Sequence, residues 1–229
     1  MQTEITCRPA SSVARITLQA GQSITCEVGA MIAMSPELTV ETSSHKKGGS
    51  GGFVSGLKRM FAGENFFLNH FTANAPDQVL ILGPGLMGDV VSHRLNGGSL
   101  IVQGSSWLAS DPDIELDATF QGLGKALFSG ESVFWVRCTG TGDVLLSSFG
   151  AIYEVEVNGQ YVVDTGHIVA FEDSLQFEMG KASSSLVGSF LGGEGLVCKF
   201  NGRGKLYCQS HNPPSFRKML GPMLKPRSA

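Results

Sequence analysis

Charge is scarce in this 229-residue chain. Only 16% of its residues are charged, below the ~25% of an average soluble protein. Its 17 basic and 20 acidic residues leave a net charge of −3, so a global basic field for nucleic acid is excluded. Disorder is excluded as well, because its signature is low hydrophobicity with high net charge, and 42% of the residues are hydrophobic. No apolar run approaches the ~20 residues of a membrane-spanning helix. The opening Met1-Gln2-Thr3-Glu4-Ile5-Thr6-Cys7 has no apolar core of a secretory leader. The five cysteines are odd in number and none has Cys-x-x-Cys spacing, which argues against a disulfide framework. Cys138 and Cys198 sit in apolar alternating runs, as expected of reduced core thiols. The expected location is the cytoplasm, at most peripheral to a membrane.

What the chain has in abundance is glycine, 30 residues of it, punctuating short runs of alternating polarity. The period is 2 rather than 3.6 almost throughout, which predicts strands. A repeat is legible within them. Gly29-Ala30-Met31-Ile32-Ala33-Met34-Ser35-Pro36-Glu37-Leu38-Thr39-Val40-Glu41 aligns without a gap on residues 105–117 and again on 166–178. Each copy reads apolar, apolar, alanine, turn, alternating strand, acid. A second block follows each first one: Gly63-Glu64, Gly130-Glu131 and Gly193-Glu194, each leading into an apolar strand, a turn and another strand. The expectation is an all-β chain of three similar β-units in pseudo-threefold arrangement. The units run over about 20–83, 97–148 and 158–210 within a single domain of residues 1–212. Glu64, Glu131 and Glu194 are expected at equivalent places, each starting a strand after a glycine that eases the bend.

Motifs of familiar chemistry fail on their flanks. Gly83-Pro84-Gly85-Leu86-Met87-Gly88 has dinucleotide-site spacing, but an alternating strand follows where a helix is needed to face the pyrophosphate. Gly48-Gly49-Ser50-Gly51-Gly52 has the spacing of a nucleophile elbow without its strand and helix. The histidines show no metal-ligand spacing, and His167 reads as a structural residue of one repeat. The acids Asp111, Asp113, Glu115 and Asp117 read as a solvated strand face rather than a cation site. No catalytic residue, metal ligand or cofactor is assigned.

These residues carry a resemblance. Gly29–Pro36, Gly63-Glu64-Asn65-Phe66-Phe67-Leu68-Asn69, Phe149-Gly150-Ala151-Ile152, Val163–Phe171 and Gly192–Cys198 are together similar to the mitochondrial-biogenesis ("altered inheritance of mitochondria") family, bacterial members included, over roughly residues 1–212. The resemblance implies a triplicated β-fold similar to the ring-forming trp RNA-binding attenuation protein, in sandwich-like or helical β-repeats. It implies a link to inner-membrane organisation for the mitochondrial members, and it carries no catalytic residues.

Two surfaces are expected to act. One is a set of apolar, glycine-rich insertions before each Gly-Glu, including Phe53, Lys58, Arg59, Phe61, Lys125, Phe128 and Phe190. The other is a basic amphipathic tail, residues 213–229, with Phe216, Met219, Leu220, Met223 and Leu224 at helical spacing beside Arg217 and Lys218. The function expected from these is a non-catalytic β-scaffold working through protein–protein or membrane-surface contacts. Self-association, an anionic membrane or a protein partner would follow. The first rival is an RNA- or small-ligand-binding module, with Phe53 and Phe61 stacking bases. The second rival is an enzyme with an unrecognised site.

Overall fold

The computed structural model describes residues 1–44, 67–117, 135–181 and 196–224. Within them the chain is all-β apart from one short helix, as the period-2 alternation requires. Strands β1 (Gln2–Thr6), β2 (Val13–Leu18), β3 (Ser23–Glu27), β4 (Met31–Met34), β5 (Leu38–Ser44), β6 (Phe67–Ala73) and β7 (Gln78–Leu82) come first. Next are β8 (Val90–Gln103), β9 (Trp107–Ser110), β10 (Ile114–Asp117) and β11 (Trp135–Ser147). The last group is β12 (Ile152–Asp164), β13 (Ile168–Glu172), β14 (Gln176–Lys181) and β15 (Leu196–Gln209), followed by α1 (Pro213–Leu220). A four-stranded sheet runs β1-β2-β7-β4, and a larger one follows β12-β15-β13-β8-β11-β9-β3-β6-β5, with β10 on β11 and β14 on β15.

Long hairpin ladders dominate. β8 pairs antiparallel with β11 from Val90↔Ser147 to Gln103↔Trp135, and β12 with β15 from Ile152↔Gln209 to Asp164↔Val197. In the first group two shorter ladders, β2 with β7 and β3 with β6, take this role. The sequence reads as strand, turn, strand before residues 147 and 209, yet β11 and β15 are each continuous. Gly140 and Gly202, both at φ +129, bend the strand instead of ending it. A Cβ on Gly140 would overlap the Asp113 carbonyl, and one on Gly202 would stand 3.2 Å from the Ser174 carbonyl.

Three short strands share a bulge. β4 pairs β7 with a register shift between Met31 and Ala33. β9 pairs β11 with Trp107 opposite Leu146 and Ala109 opposite Leu145. β13 pairs β15 with Ile168 opposite Cys208 and Ala170 opposite Tyr207. The residues left over are Ile32, Leu108 and Val169, one per strand, each the extra residue of a bulge. β9 and β13 also pair on their other edge. Cys26 lies opposite Ala109 and Thr25 opposite Ser110; Val102 lies opposite Ala170 and Ile101 opposite Phe171.

Three apolar clusters fill the space between the ladders. The first centres on Ile16, Leu18, Ile24, Phe71 and Leu80 and takes in Leu108, Ala109 and Leu145. The second centres on Leu100, Val102, Trp107 and Val136 and takes in Val169, Ala170 and Tyr207. The third holds Ile101, Trp135, Val163, Phe171 and Phe200. Each fully buried side chain of this size contributes about 1.5–3 kcal/mol. The glycine-rich 83–88 stretch joins β7 to β8. Gly88 bridges Gly150, and a Cβ there would overlap the Ser148 carbonyl, so its last glycine serves a close backbone approach.

Candidate functional site

Of the surface residues the sequence points to, Glu64, Glu131, Glu194, Phe53, Lys58, Arg59, Phe61, Lys125, Phe128 and Phe190 lie outside the described residues. Phe216, Arg217 and Lys218 lie on α1. Asn212 caps that helix by accepting from the Ser215 N–H at 3.3 Å, and Pro213 and Pro214 fill the first turn, where a missing N–H does no harm. Arg217 and Lys218 fall in the last turn, where cations suit the helix dipole. Phe216 packs edge-on against Phe149 at 5.1 Å between centroids, and Phe149 also meets His211. The apolar stripe is therefore divided. Phe216 and Leu220 are half-buried, while Met219, Met223 and Leu224 stay exposed.

A polar cluster that the sequence did not reveal sits between β8, β12 and β15. The His93 Nδ1 and Tyr207 Oη lie 2.8 Å apart and buried, with the rings edge to face. The Tyr207 hydroxyl also bonds Glu154. Lys205 Nζ donates to Glu154 Oε1 at 2.8 Å and reaches Glu156. The Lys205 N–H donates to Glu172 Oε2 at 3.0 Å. Burial holds the His93 imidazole below its ordinary value against the pull of Glu172. Burial, then Glu154, pushes the Tyr207 hydroxyl above its own. The hydroxyl is thus protonated and the imidazole neutral near pH 7. An ionised Glu154 only accepts, so Tyr207 donates to it and accepts from His93 Nδ1–H. Every group here serves another, and the cluster ties β8 to β15.

Asp89 is a second buried polar point. It accepts from Arg8 Nε and Nη2, both at 2.9 Å, from Ser12 Oγ at 2.8 Å and from the Val90 N–H. The His167 Nδ1–H donates to the Gln209 carbonyl, 2.8 Å away, because a carbonyl only accepts. Asp111 accepts from the Asp143 N–H and faces Arg94, while Glu115 and Asp117 point outward from β10 as Ile114 and Leu116 point in. Among the described residues no three His, Cys, Asp or Glu gather as a metal site would need. Cys26, Cys138, Cys198 and Cys208 are buried and Cys7 is exposed. Burial pushes the first three thiols to about 12 and Cys208 to about 11, which removes them as nucleophiles near neutrality.

Glu27 on β3 is pushed up to about 7 by burial, against ~4.3 in an unfolded chain. A raised carboxyl favours the fold below the unfolded value, and that contribution is lost as pH rises through the folded one. Glu27→Gln is expected to raise stability by about 2 kcal/mol at pH 8, a figure reduced for partial solvent screening, and to leave it unchanged at pH 4. Urea midpoints at the two pH values check this, and an equal gain at both would defeat it.

These features define a class by fold: an all-β protein of long antiparallel hairpins joined edge to edge, closed by a short C-terminal helix. No helix of the described residues is long and apolar enough to cross a membrane. The chain belongs to the family described as "Mitochondrial biogenesis AIM24", whose profile matches residues 3–211. It is similar to an uncharacterised protein of Streptococcus pyogenes serotype M6, with 30% identity over 209 residues, 90% of this chain and 84% of that one. It is also similar to a Streptococcus pyogenes protein solved by X-ray crystallography as a structural-genomics target. That match has 25% identity and a TM-score of 0.78, covering 97% of this chain and 99% of the other.

Proposed function

We propose that the chain is a non-catalytic β-scaffold built from three similar β-units, acting through protein–protein contacts that include its own copies. One observation carries the reading: the same bulged short strand recurs at β4, β9 and β13, at residues the gapless sequence alignment also matches. Two of the three form like seams with the preceding hairpin. The pseudo-threefold arrangement, and with it the likeness to the attenuation protein, depends on a third seam between β4 and β12. Among the described residues no ladder joins those two strands. The buried thiols and the mutually satisfied His93 cluster support a structural rather than a chemical role. Light scattering on purified protein at micromolar concentration tests the proposal. An assembly above 24.2 kDa without stoichiometric metal or 260 nm absorbance is expected. A monomer would overturn it, and co-purifying RNA would favour the nucleic-acid rival.

The exposed Met219, Met223 and Leu224 favour a second contact, with an anionic membrane surface. Residues 213–229 carry Arg217, Lys218, Lys225 and Arg227 and no acid, and each cation near an anionic surface contributes about 1 kcal/mol. Deleting 213–229 is expected to remove only the small helical contribution of α1 from the far-ultraviolet circular dichroism and to keep the β signal, since the last ladder ends at Gln209. It should abolish sedimentation with phosphatidylglycerol vesicles that the full chain shows at low salt and loses at high salt. Vesicle binding that survives the deletion removes the tail from this role.

A further inference from the structure

The two short strands that pair on both edges are buried along their length, and the third is not. Ile32 of β4 is 59% exposed, whereas its counterparts Leu108 of β9 and Val169 of β13 are 0% exposed. Among the described residues β4 pairs only with β7. An open edge of the complementary kind lies at the other end of the sheet. The edges of β3 and β8 that receive β9 and β13 correspond to Gln160–Asp164 of β12, which among the described residues pairs only with β15. Tyr161 there is 39% exposed, against 2% for Ile24 and 0% for Leu100 at the matching positions. The cores repeat the asymmetry. The first cluster takes Leu108, Ala109 and Leu145 from the next hairpin, and the second takes Val169, Ala170 and Tyr207. Among the described residues the third takes no such set, and the residues that match it by position are Ile32, Ala33 and Ile81 of the first group.

We infer that β4 of one copy pairs antiparallel with the outer edge of β12 in a second copy of this chain. The inference rests on the scaffold reading and names its partner and register. Both internal seams use one register: Cys26 opposite Ala109 matches Val102 opposite Ala170, and Thr25 opposite Ser110 matches Ile101 opposite Phe171. Transferred to the open edges, it places Val163 opposite Ala33 and Val162 opposite Met34. The occupant is a second copy because the two free edges are the two halves of a seam this chain already makes twice. Neither Met31–Met34 nor Gln160–Val163 contains a charge or a proline, the devices that normally protect a free edge, and the acid at the end of that edge, Asp164, accepts from the Gly166 N–H. Ile32 and Ala33 of the incoming strand would complete the third core. The contact is heterologous, so it propagates from copy to copy until it closes as a ring or continues as a filament.

Register-specific disulfides test this. In a Cys7→Ser background, Ala33→Cys protein is mixed with Val163→Cys protein, and Met34→Cys with Val162→Cys. Adjacent antiparallel pairs alternate between close and wide spacing, so one of the two mixtures suits a disulfide. The expected result is a reductant-sensitive mixed dimer from at least one of them. The off-register mixture of Ala33→Cys with Val162→Cys should couple at least fivefold less. Ile32→Lys, at a side chain exposed in the single chain, should keep the melting temperature of the isolated subunit and reduce the scattering mass to one chain. No mixed dimer from a protein that still assembles overturns this seam and leaves the scaffold reading standing. A monomeric wild-type protein overturns both. A disulfide formed within one chain of an Ala33→Cys, Val163→Cys double variant shows the edges closing on themselves and also overturns the inference.

Discussion

Phe171→Ala is expected to destabilise the protein by about 4 kcal/mol and to lower its melting temperature by roughly 10 °C. Phe171 is fully buried on β13, and its ring meets Trp135 at 5.7 Å, Phe177 at 5.2 Å and Phe200 at 5.1 Å, each at a steep angle. Three edge-to-face partners add about 0.5–1.5 kcal/mol apiece beyond the area buried. The rings come from β11, β14 and β15, so no single neighbour can move in to close the cavity. Phe171→Leu, which keeps most of the volume, should lose less than half as much. Urea denaturation of both variants gives the comparison, and a loss under 1 kcal/mol for the alanine variant would show that the cluster repacks.

Asp89→Ala is expected to remove about 3 kcal/mol, in the lower part of the range for breaking a buried ion pair. Arg8 is half exposed and turns to water when its partner goes. The loss falls instead on the buried Ser12 hydroxyl and the Val90 N–H, both left without an acceptor. Burial alone would raise the Asp89 carboxyl, but the bonds from Arg8, Ser12 and Val90 outweigh it and hold it below the usual range. A depressed carboxyl stabilises the fold above the unfolded value of ~3.9, and that contribution disappears as pH falls through the folded value. His93, held neutral by burial, acts in the same direction higher up. The unfolded chain takes its proton near ~6.5 while the fold resists, so stability drops as pH falls below that value. Glu27 runs the other way over an overlapping range. Melting of wild type and Asp89→Ala across pH 2–8 should therefore differ most above pH 4 and converge in strong acid; a constant gap would refute the assignment.

The strands were legible because their physics is local. Alternation along Val13–Leu18 or Ile114–Asp117 depends on one residue in two facing the core, and a reader of the sequence sees that directly. The rejected dinucleotide motif was legible for the same reason, since β8 alternates from its first residues. The bends at Gly140 and Gly202 were misread as turns because glycine marks both, and only the Asp113 and Ser174 carbonyls crowding them tell the difference. The His93–Tyr207 bond was invisible for another reason: 114 residues separate the two, and neither side chain carries a local pattern. The role of Asp89 leaves no local mark either, because its partner Arg8 comes from a strand connection 81 residues earlier. The tail's helical spacing reads as one apolar stripe, yet Phe216 is drawn to Phe149 while Met219 and Met223 stay outside, because the position of Phe149 is set by the fold and not by the tail.

The extra residue in each short strand bears on which insertions and deletions the gene can tolerate. Leu108 and Val169 each stand just before two residues that pair on both edges, Ala109 and Ser110 with β11 and β3, and Ala170 and Phe171 with β15 and β8. Losing the codon for Leu108 would give β9 an unbroken register with β11 and remove a fully buried side chain from the first cluster, which the preceding hairpin shares. A single-residue change there is felt in two hairpins at once. The connections after β5, β10 and β14 already differ in length from one another, and variation there leaves the registers untouched. Descendants of this gene should thus lengthen and shorten freely between those strands while the bulge codons stay in number, whatever side chains they encode.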